Sequence, residues 1–271
     1  MEEQITFPDL YLRFDVPYIA FKIGGFGISW QVLITLAGII IALYLAYKSK
    51  ENYYIKLKDL LEMMVLTFVV GFVGARLFYC IFRYDTYLED PIKIMQLEYG
   101  YLELMGGMVI GIAVLRALCK SFDLTRKDVF DYFTPFFALI QAFASIAAMY
   151  NLRDYGVTDM DGMFRMICRI NGMAYVTHPL FLYQAVMCLG LFVITRLMQK
   201  KRAFQGQIFY TYLLLFSTGR FFIEGLRRDP MMLFGFNVGK FICFVLIVES
   251  IIFLGINIVR KLNNPNRNIK E

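Results

Sequence analysis

The chain has 271 residues, 59% of them hydrophobic, 17% aromatic and only 18% charged, with a formal net charge of +6. A soluble domain of this length carries more charge and fewer apolar residues, so an ordinary soluble enzyme is excluded. No Ser/Gly/Pro-rich linker, low-complexity segment or internal repeat divides the sequence, which predicts one polytopic membrane domain over residues 1–271.

A hydrocarbon core about 30 Å thick needs roughly 20 apolar residues of helix. Seven stretches meet or approach that length, at 28–47, 59–82, 101–119, 129–150, 178–198, 206–223 and 237–259. The predicted class is an all-α integral membrane protein with seven transmembrane helices. The first stretch follows the acidic residues Glu2, Glu3, Asp9 and Asp15. It lacks a basic n-region and a small-residue cleavage site, so it is expected to remain as a span. Lys48, Lys50, Lys56 and Lys58 follow it. The second stretch carries Arg76 near its outer end, beside Gly71 and Gly74. The third opens with "LELMGGMVIG", which holds Glu103 and the pair Gly106-Gly107. Lys120, Arg126 and Lys127 follow the third stretch, and the acidic loop "RDYGVTDMDG" follows the fourth. The fifth opens at "VTHPLFLYQ", where Pro179 fits a first helical turn and Thr177 or His178 is expected near the cap. Arg196, Lys200, Lys201 and Arg202 follow it, and Arg260, Lys261, Arg267 and Lys270 follow the seventh.

Lysine and arginine concentrate in cytoplasmic loops. That rule puts the amino terminus outside and the carboxyl terminus in the cytoplasm. It also accounts for the positive charge without a nucleic-acid partner. Cys80, Cys119, Cys168, Cys188 and Cys243 show no C-x-x-C pairing, so neither a zinc site nor a disulfide framework is expected. They read as packing residues.

Ionisable groups inside apolar segments are expensive and mark functional sites. Arg76 lies too far from a helix end for simple snorkelling and is expected to face a polar cavity. The glycines of the second and third stretches permit close helix approach. His178 is the sole histidine, with Tyr183 about one turn further on. In "GRFFIEGLRRDP", Arg220, Glu224 and Arg227 fall at i, i+4 and i+7, on one helical face. A glutamate between two arginines orients both guanidiniums and leaves a net positive charge. Such a face suits bidentate binding of a phosphate, and the anion at hand in a bacterial membrane is a phospholipid headgroup.

Across nearly its whole length the sequence resembles the prolipoprotein diacylglyceryl transferase family. "VGARLFYCIF…YLEDP" is similar to G-[AG]-R-L-x-Y-x-x-F with its following proline, and "MGGMVIG" to H-G-G-L-I-G. "HPLFLYQ" is similar to H-P-S-Q-L-Y-E, and "FSTGRFFIEGLRRDP" to Y-G-x-x-R-F-x-x-E-x-x-R-x-P. "FPDL…FKIGGFGISWQVLITLAGIIIALYLA" looks like the amino-terminal segment, and all five occur in the family's order. The resemblance implies transfer of diacylglyceryl from phosphatidylglycerol to the thiol of a lipobox cysteine in a preprolipoprotein, at the outer leaflet of the bacterial cytoplasmic membrane. It implies no cofactor and no metal. It implies catalytic roles for Arg220, Glu224 and His178, and headgroup contacts from Arg76, Gly106, Gly107, Asn151, Gly156, Tyr183 and Arg227.

The chain departs from the family pattern at several positions. Met105 replaces the histidine of H-G-G, Phe216 a tyrosine and Gln184 the glutamate closing H-P-S-Q-L-Y-E, whose Ser-Gln is Leu180-Phe181. In the signature G-R-x-G-N-F-x-N-x-E-x-x-G, Ser145 replaces the arginine, Ala148 the first asparagine and Arg153 the glutamate, while Asn151 and Gly156 are kept. Three functions follow as expectations: a divergent transferase acting on phosphatidylglycerol or a related anionic lipid with a lipobox cysteine or another acceptor, a silent relative that binds phospholipid and a partner protein, and a transporter. The transporter would need charges through the midplane, whereas the charges here cluster outside it.

Overall fold

The computed structural model describes residues 4–17, 19–23, 26–49, 57–82, 84, 88, 104–122, 124–150, 156, 165–170, 173–228, 230–233 and 235–263. Seven long helices dominate them: α1 Trp30–Ser49, α2 Leu57–Phe82, α3 Leu104–Ser121, α4 Arg126–Ala147, α5 Leu180–Gln199, α6 Gln207–Gly225 and α7 Val238–Asn263. Each coincides with one predicted apolar stretch to within a few residues. Five of them, all but α3 and α6, are long and apolar enough to cross a membrane.

The all-α expectation needs correcting, because eight strands also form among the described residues. β1 Gln4–Phe7, β2 Leu12–Asp15, β5 Met166–Ile170 and β6 Met173–Thr177 make an antiparallel sheet in the order β2-β1-β5-β6. β3 Ile19–Ile23 pairs with β4 Phe26–Ser29, and β7 Met232–Leu233 with β8 Phe236–Asn237. The four-stranded sheet buries a small core of its own, in which Ile5, Phe7, Val16, Met166 and Cys168 pack against Met149, Tyr150 and Phe181. Burial there pushes the Cys168 thiol up to about 12, so it is inert packing rather than a nucleophile. All five cysteines are free and buried.

The helices pack in pairs, α2 with α3, α4 with α5 and α6 with α7, while α1 packs on α4 and α5 on α6. Helix α4 is central. Its most apolar window is 56% buried within the protein, against 11% for α7 and 17% for α1. One face of α4 packs Tyr132, Phe136 and Leu139 on Ala42 and Ala46 of α1, and the Tyr132 hydroxyl donates to the Ala46 carbonyl at 2.5 Å. Another contributes Ala138 and Ala142 to a core with Met108, Cys188, Tyr212, Phe216 and Cys243. By contrast, α7 exposes Phe241, Phe244, Val248, Ile252 and Ile256. So large an outward apolar surface is suited to lipid rather than water.

Glycine sets the α2–α3 spacing. A Cβ at Gly106 would sit 2.3 Å from Phe78, and one at Gly107 2.9 Å from the Ala75 side chain and 3.1 Å from the Gly71 carbonyl. This is the close approach that small residues three or four apart permit.

A polar knot joins α4, α5 and α6 at the end where α6 begins. The carboxylate of Asp131, fully buried, accepts the N–H groups of Gly206 at 2.8 Å and Phe209 at 2.9 Å. Gly206, the residue before α6, has φ 85° and no side chain to cap the helix, so Asp131 supplies the cap from another helix. Pro135 lies inside α4 and brings no N–H to the carbonyl four residues earlier. That carbonyl, of Asp131, instead accepts from Gln199 Nε2 at 3.2 Å. Arg202 closes the knot on Asp128 at 2.6 Å and Asp131 at 3.4 Å.

Asp131→Ala should therefore destabilise the protein by about 2 kcal/mol or more, since it removes a helix cap and strands buried donors. Thermal unfolding in detergent reads this as a lowered midpoint, with Asp131→Asn falling between the two. An unchanged midpoint in Asp131→Ala would contradict the capping role.

Candidate active site

The second polar cluster gathers where α6 ends. Arg220 is one turn before the helix terminus and only 8% exposed; Glu224 is 3% exposed. Arg220 Nη2 pairs with Glu224 Oε2 at 3.4 Å, and Nη1 donates to Oε1 of Gln184, buried on α5. Arg227 Nη1 lies 3.7 Å from the same Glu224 oxygen. One carboxylate is thus shared by two guanidiniums, and the trio keeps one net positive charge.

The predicted continuous helical face is not what positions Arg227. Helix α6 stops at Gly225 with Leu226 as its C-cap. Arg227 stands beyond it, in a single antiparallel bridge with Gly156. The bridge aims Arg227 back at Glu224, so the two arginines reach the carboxylate from different backbone conformations. Arg228 turns aside and lies over the Tyr175 ring, 5.4 Å from its centroid.

Gly156 also ties this strand-like segment to the start of α5, its N–H donating to the His178 carbonyl at 3.2 Å. A Cβ there would sit 2.6 Å from the His178 Cβ and 3.1 Å from the Leu226 carbonyl, so the approach requires glycine. His178 Nδ1 lies 3.3 Å from the Tyr183 hydroxyl. His178 stands immediately before the cap position, near the cap as expected. Pro179 takes the N-cap position without a side-chain cap, and the Thr177 hydroxyl donates to the His178 carbonyl instead. Because the sheet strand β6 runs straight into His178, the residue belongs to the loop before α5 and not to the helix. Burial lowers its imidazole below the ordinary value of 6.5, which favours the neutral, proton-accepting form.

Of the sequence-predicted residues, Arg220, Glu224 and Arg227 come together, and Gly156 links Arg227 to the His178–Tyr183 pair. Arg76 is 6% exposed on α2, buried within the protein rather than extended outward. Gly106 and Gly107 serve the α2–α3 contact. Asn151, Glu103 and Arg153 lie outside the described residues. The substituted positions have structural uses: Phe216 is fully buried and stacks on Tyr212 at 5.5 Å, and the Ser145 hydroxyl donates to the Gln141 carbonyl at 2.7 Å.

Two contributors escaped the sequence reading. Gln184 entered it only as a replaced glutamate, yet it holds Arg220; its signal was a polar residue one turn inside an apolar helix. Gly239, at the start of α7, lets Glu224 approach so closely that a Cβ would lie 2.8 Å from its carboxyl carbon. No sequence pattern pointed to it. Finally, Arg220 Nε is buried without a hydrogen-bond partner among the described residues. A buried donor of this kind asks for an acceptor, and a phosphate oxygen meets that need.

The family model for prolipoprotein diacylglyceryl transferase matches residues 18–256. The chain belongs to that family. A phosphatidylglycerol–prolipoprotein diacylglyceryl transferase from Clostridium novyi is 31% identical over 256 residues, covering 92% of this chain and 97% of the relative. Proteins of the same name from Streptococcus mutans and Lactobacillus acidophilus are each 29% identical, covering 91% and 86% of this chain and 96% and 87% of themselves.

Two measurements probe this geometry. With one histidine in the chain, isotope-labelled imidazole gives a single NMR titration, whose midpoint is expected below 6.5; a midpoint above that value would contradict the burial of His178. Gly239→Ala should push Glu224 off its arginines and destabilise the fold by about 1–3 kcal/mol. Unaltered thermal stability would mean that the carboxylate has room to give.

Proposed function

We propose that this chain is a phosphatidylglycerol–prolipoprotein diacylglyceryl transferase whose active centre is the Arg220 cluster. The observation that carries the reading is the buried Arg220, oriented by Glu224 and Gln184 with its Nε donor unpartnered. Family membership supplies the reaction class, and the relatives' names supply phosphatidylglycerol and prolipoprotein as substrates.

In this reading, all seven long helices span the bacterial cytoplasmic membrane, with the amino terminus outside and the Arg220 cluster at the outer leaflet. The alternation of lysine and arginine between loops supports that orientation. Phosphatidylglycerol places its phosphate on Arg220, with Arg227 as a second cation and Arg76 on the lipid's path. The sulfur of the lipobox cysteine attacks the glyceryl carbon that bears the phosphodiester oxygen. A C–S bond forms, the C–O bond breaks, and its electron pair leaves on the phosphate oxygen of glycerol phosphate. Arg220 stabilises that growing charge. His178, kept neutral by burial, takes the thiol proton with Tyr183 holding the ring. Glu224 acts through the arginines, since both guanidiniums already occupy its carboxylate. Gln184 in place of glutamate leaves more of the cationic charge for the phosphate.

Arg220→Ala should weaken phosphatidylglycerol binding by about 1.5–3 kcal/mol, the worth of one charge-assisted contact. Arg220→Lys should restore only part of it, because an ammonium cannot make the bidentate grip. Equal binding by wild type and Arg220→Ala in detergent-solubilised protein would refute the headgroup site. The orientation is tested with membrane-impermeant reagents on intact cells. Residues 151–177 should label and 48–58 should not; the opposite pattern would place Arg220 at the wrong leaflet.

A further inference from the structure

The opposite end of α6 carries a second cationic feature that the transfer chemistry does not use. Between α3, α4, α6 and α7 lies a cavity of about 200 Å³ lined by Arg116, Arg126 and Lys127 together with aromatic side chains, among them Phe209, Tyr210 and Phe253. Tyr210 and Arg220 are ten positions apart on one helix, so the cavity lies on the order of 15 Å from the transfer site along the α6 axis.

We propose that this cavity binds the phosphate headgroup of an anionic phospholipid from the leaflet opposite the transfer site, a role distinct from the substrate lipid. Three observations converge. The first is charge. Arg116 pairs with Glu249 at 3.8 Å, and the Tyr210 hydroxyl donates to the same carboxylate at 3.5 Å. Three cations against Glu249 leave two positive charges facing the cavity. The nearby Asp128 and Asp131 share Arg202, at 2.6 and 3.4 Å, so the wider cluster keeps one net positive charge.

The second observation is an electrostatic conflict. Arg126 and Lys127 share the first turn of α4 with Asp128, whose carboxylate is engaged by Arg202 and Gln205; the helix dipole is positive there and the preceding Thr125 makes no side-chain cap. Cations there are disfavoured, and an anion in front of them relieves the conflict. Lys127 also lies over the Phe253 ring, 5.6 Å from its centroid, and Phe253 stacks on Tyr210 at 3.8 Å. The stack forms a flat apolar wall beside the cations.

The third observation separates a lipid from a soluble phosphate. Phe253 leads onto the outward face of α7, where Ile252 and Ile256 are 56% and 46% exposed. A ligand with a phosphate among the cations can lay acyl chains along that face. Basic pockets between transmembrane helices on the cytoplasmic side are suited to such headgroups. The leaflet assignment rests on the orientation proposed above; binding itself does not.

Wild type, the variant Arg116→Gln/Arg126→Gln/Lys127→Gln, Glu249→Gln and Arg220→Ala are each reconstituted in phosphatidylcholine discs containing a small fraction of phosphatidylglycerol. Phosphatidylglycerol retained through a detergent wash is then counted by native mass spectrometry. Each neutralised cation should weaken retention about fivefold, so the triple variant should lose one lipid that wild type and Arg220→Ala both keep. Glu249→Gln should hold that lipid more tightly, and this variant decides the matter alone if the triple variant does not fold. Millimolar inorganic phosphate should not displace it. Unchanged retention in the triple variant, or in Glu249→Gln, would overturn the proposal; displacement by inorganic phosphate would make the cavity a soluble-anion site and overturn it equally. Loss of lipid from Arg220→Ala alone would fault this cavity and leave the transfer site standing. Discs expose both faces, so the outcome does not depend on orientation.

Discussion

The pairing of Arg220 with Glu224, both almost completely buried, constrains everything around it. Two charges withdrawn from water each carry several kcal/mol of desolvation cost, and removing one partner strands the other, at about 3–5 kcal/mol. The surrounding elements meet that demand by supplying polar groups and space at fixed points. Helix α5 brings Gln184 to Arg220, α7 gives way at Gly239 so that Glu224 can approach, and the bridge at Gly156 turns Arg227 inward. Arg220 is thereby held at Nη1 by Gln184 and at Nη2 by Glu224, and its Nε is left without a hydrogen-bond partner among the described residues. In the proposed function a phosphate contact would add to a preorganised site, which is where electrostatic catalysis gains most.

Helix α6 meets charged groups near both of its ends. Its first N–H groups receive the Asp131 carboxylate, and more than one turn before its other end Arg220 pairs with Glu224. The first arrangement agrees with the helix dipole, which favours an anion at the start, while at the other end Arg220 and Arg227 offset the charge of Glu224. The pattern makes α6 a rigid rod between two polar anchors, with Tyr212, Leu213 and Phe216 buried between them. Phe216 shows why a substituted position need not be a damaged one: it is fully buried, stacked on Tyr212 and part of the core that spaces α4, α5 and α7.

Helices were legible in the sequence because an apolar run of bilayer length has few other solutions, and all seven stand where the runs are. The four-stranded sheet was not. It joins residues 4–15 to residues 166–177, and pairing across that separation leaves no local period to read. The site was legible in its charges and not in its supports. Arg220, Glu224 and Arg227 announce themselves as ions next to apolar sequence, but the helix end at Gly225 was masked by the continuing i, i+4, i+7 pattern. Gln184 and Gly239 matter through what they touch, and touching is a property of the fold. Gly106 and Gly107 illustrate the reverse: one dipeptide suits either anion binding or helix contact, and the α2–α3 approach is what the described residues display.

The most direct test of the account is thioether formation in cells. A bacterial strain depleted of its own diacylglyceryl transferase is supplied with this chain or with Arg220→Ala, and the amino-terminal cysteine of a reporter lipoprotein is analysed by mass spectrometry. The account predicts that the wild-type chain adds the diacylglyceryl mass to the cysteine sulfur and that Arg220→Ala, expressed to the same level in the membrane, does not. An unmodified reporter in the presence of well-expressed wild-type chain would contradict it, as would full modification by Arg220→Ala.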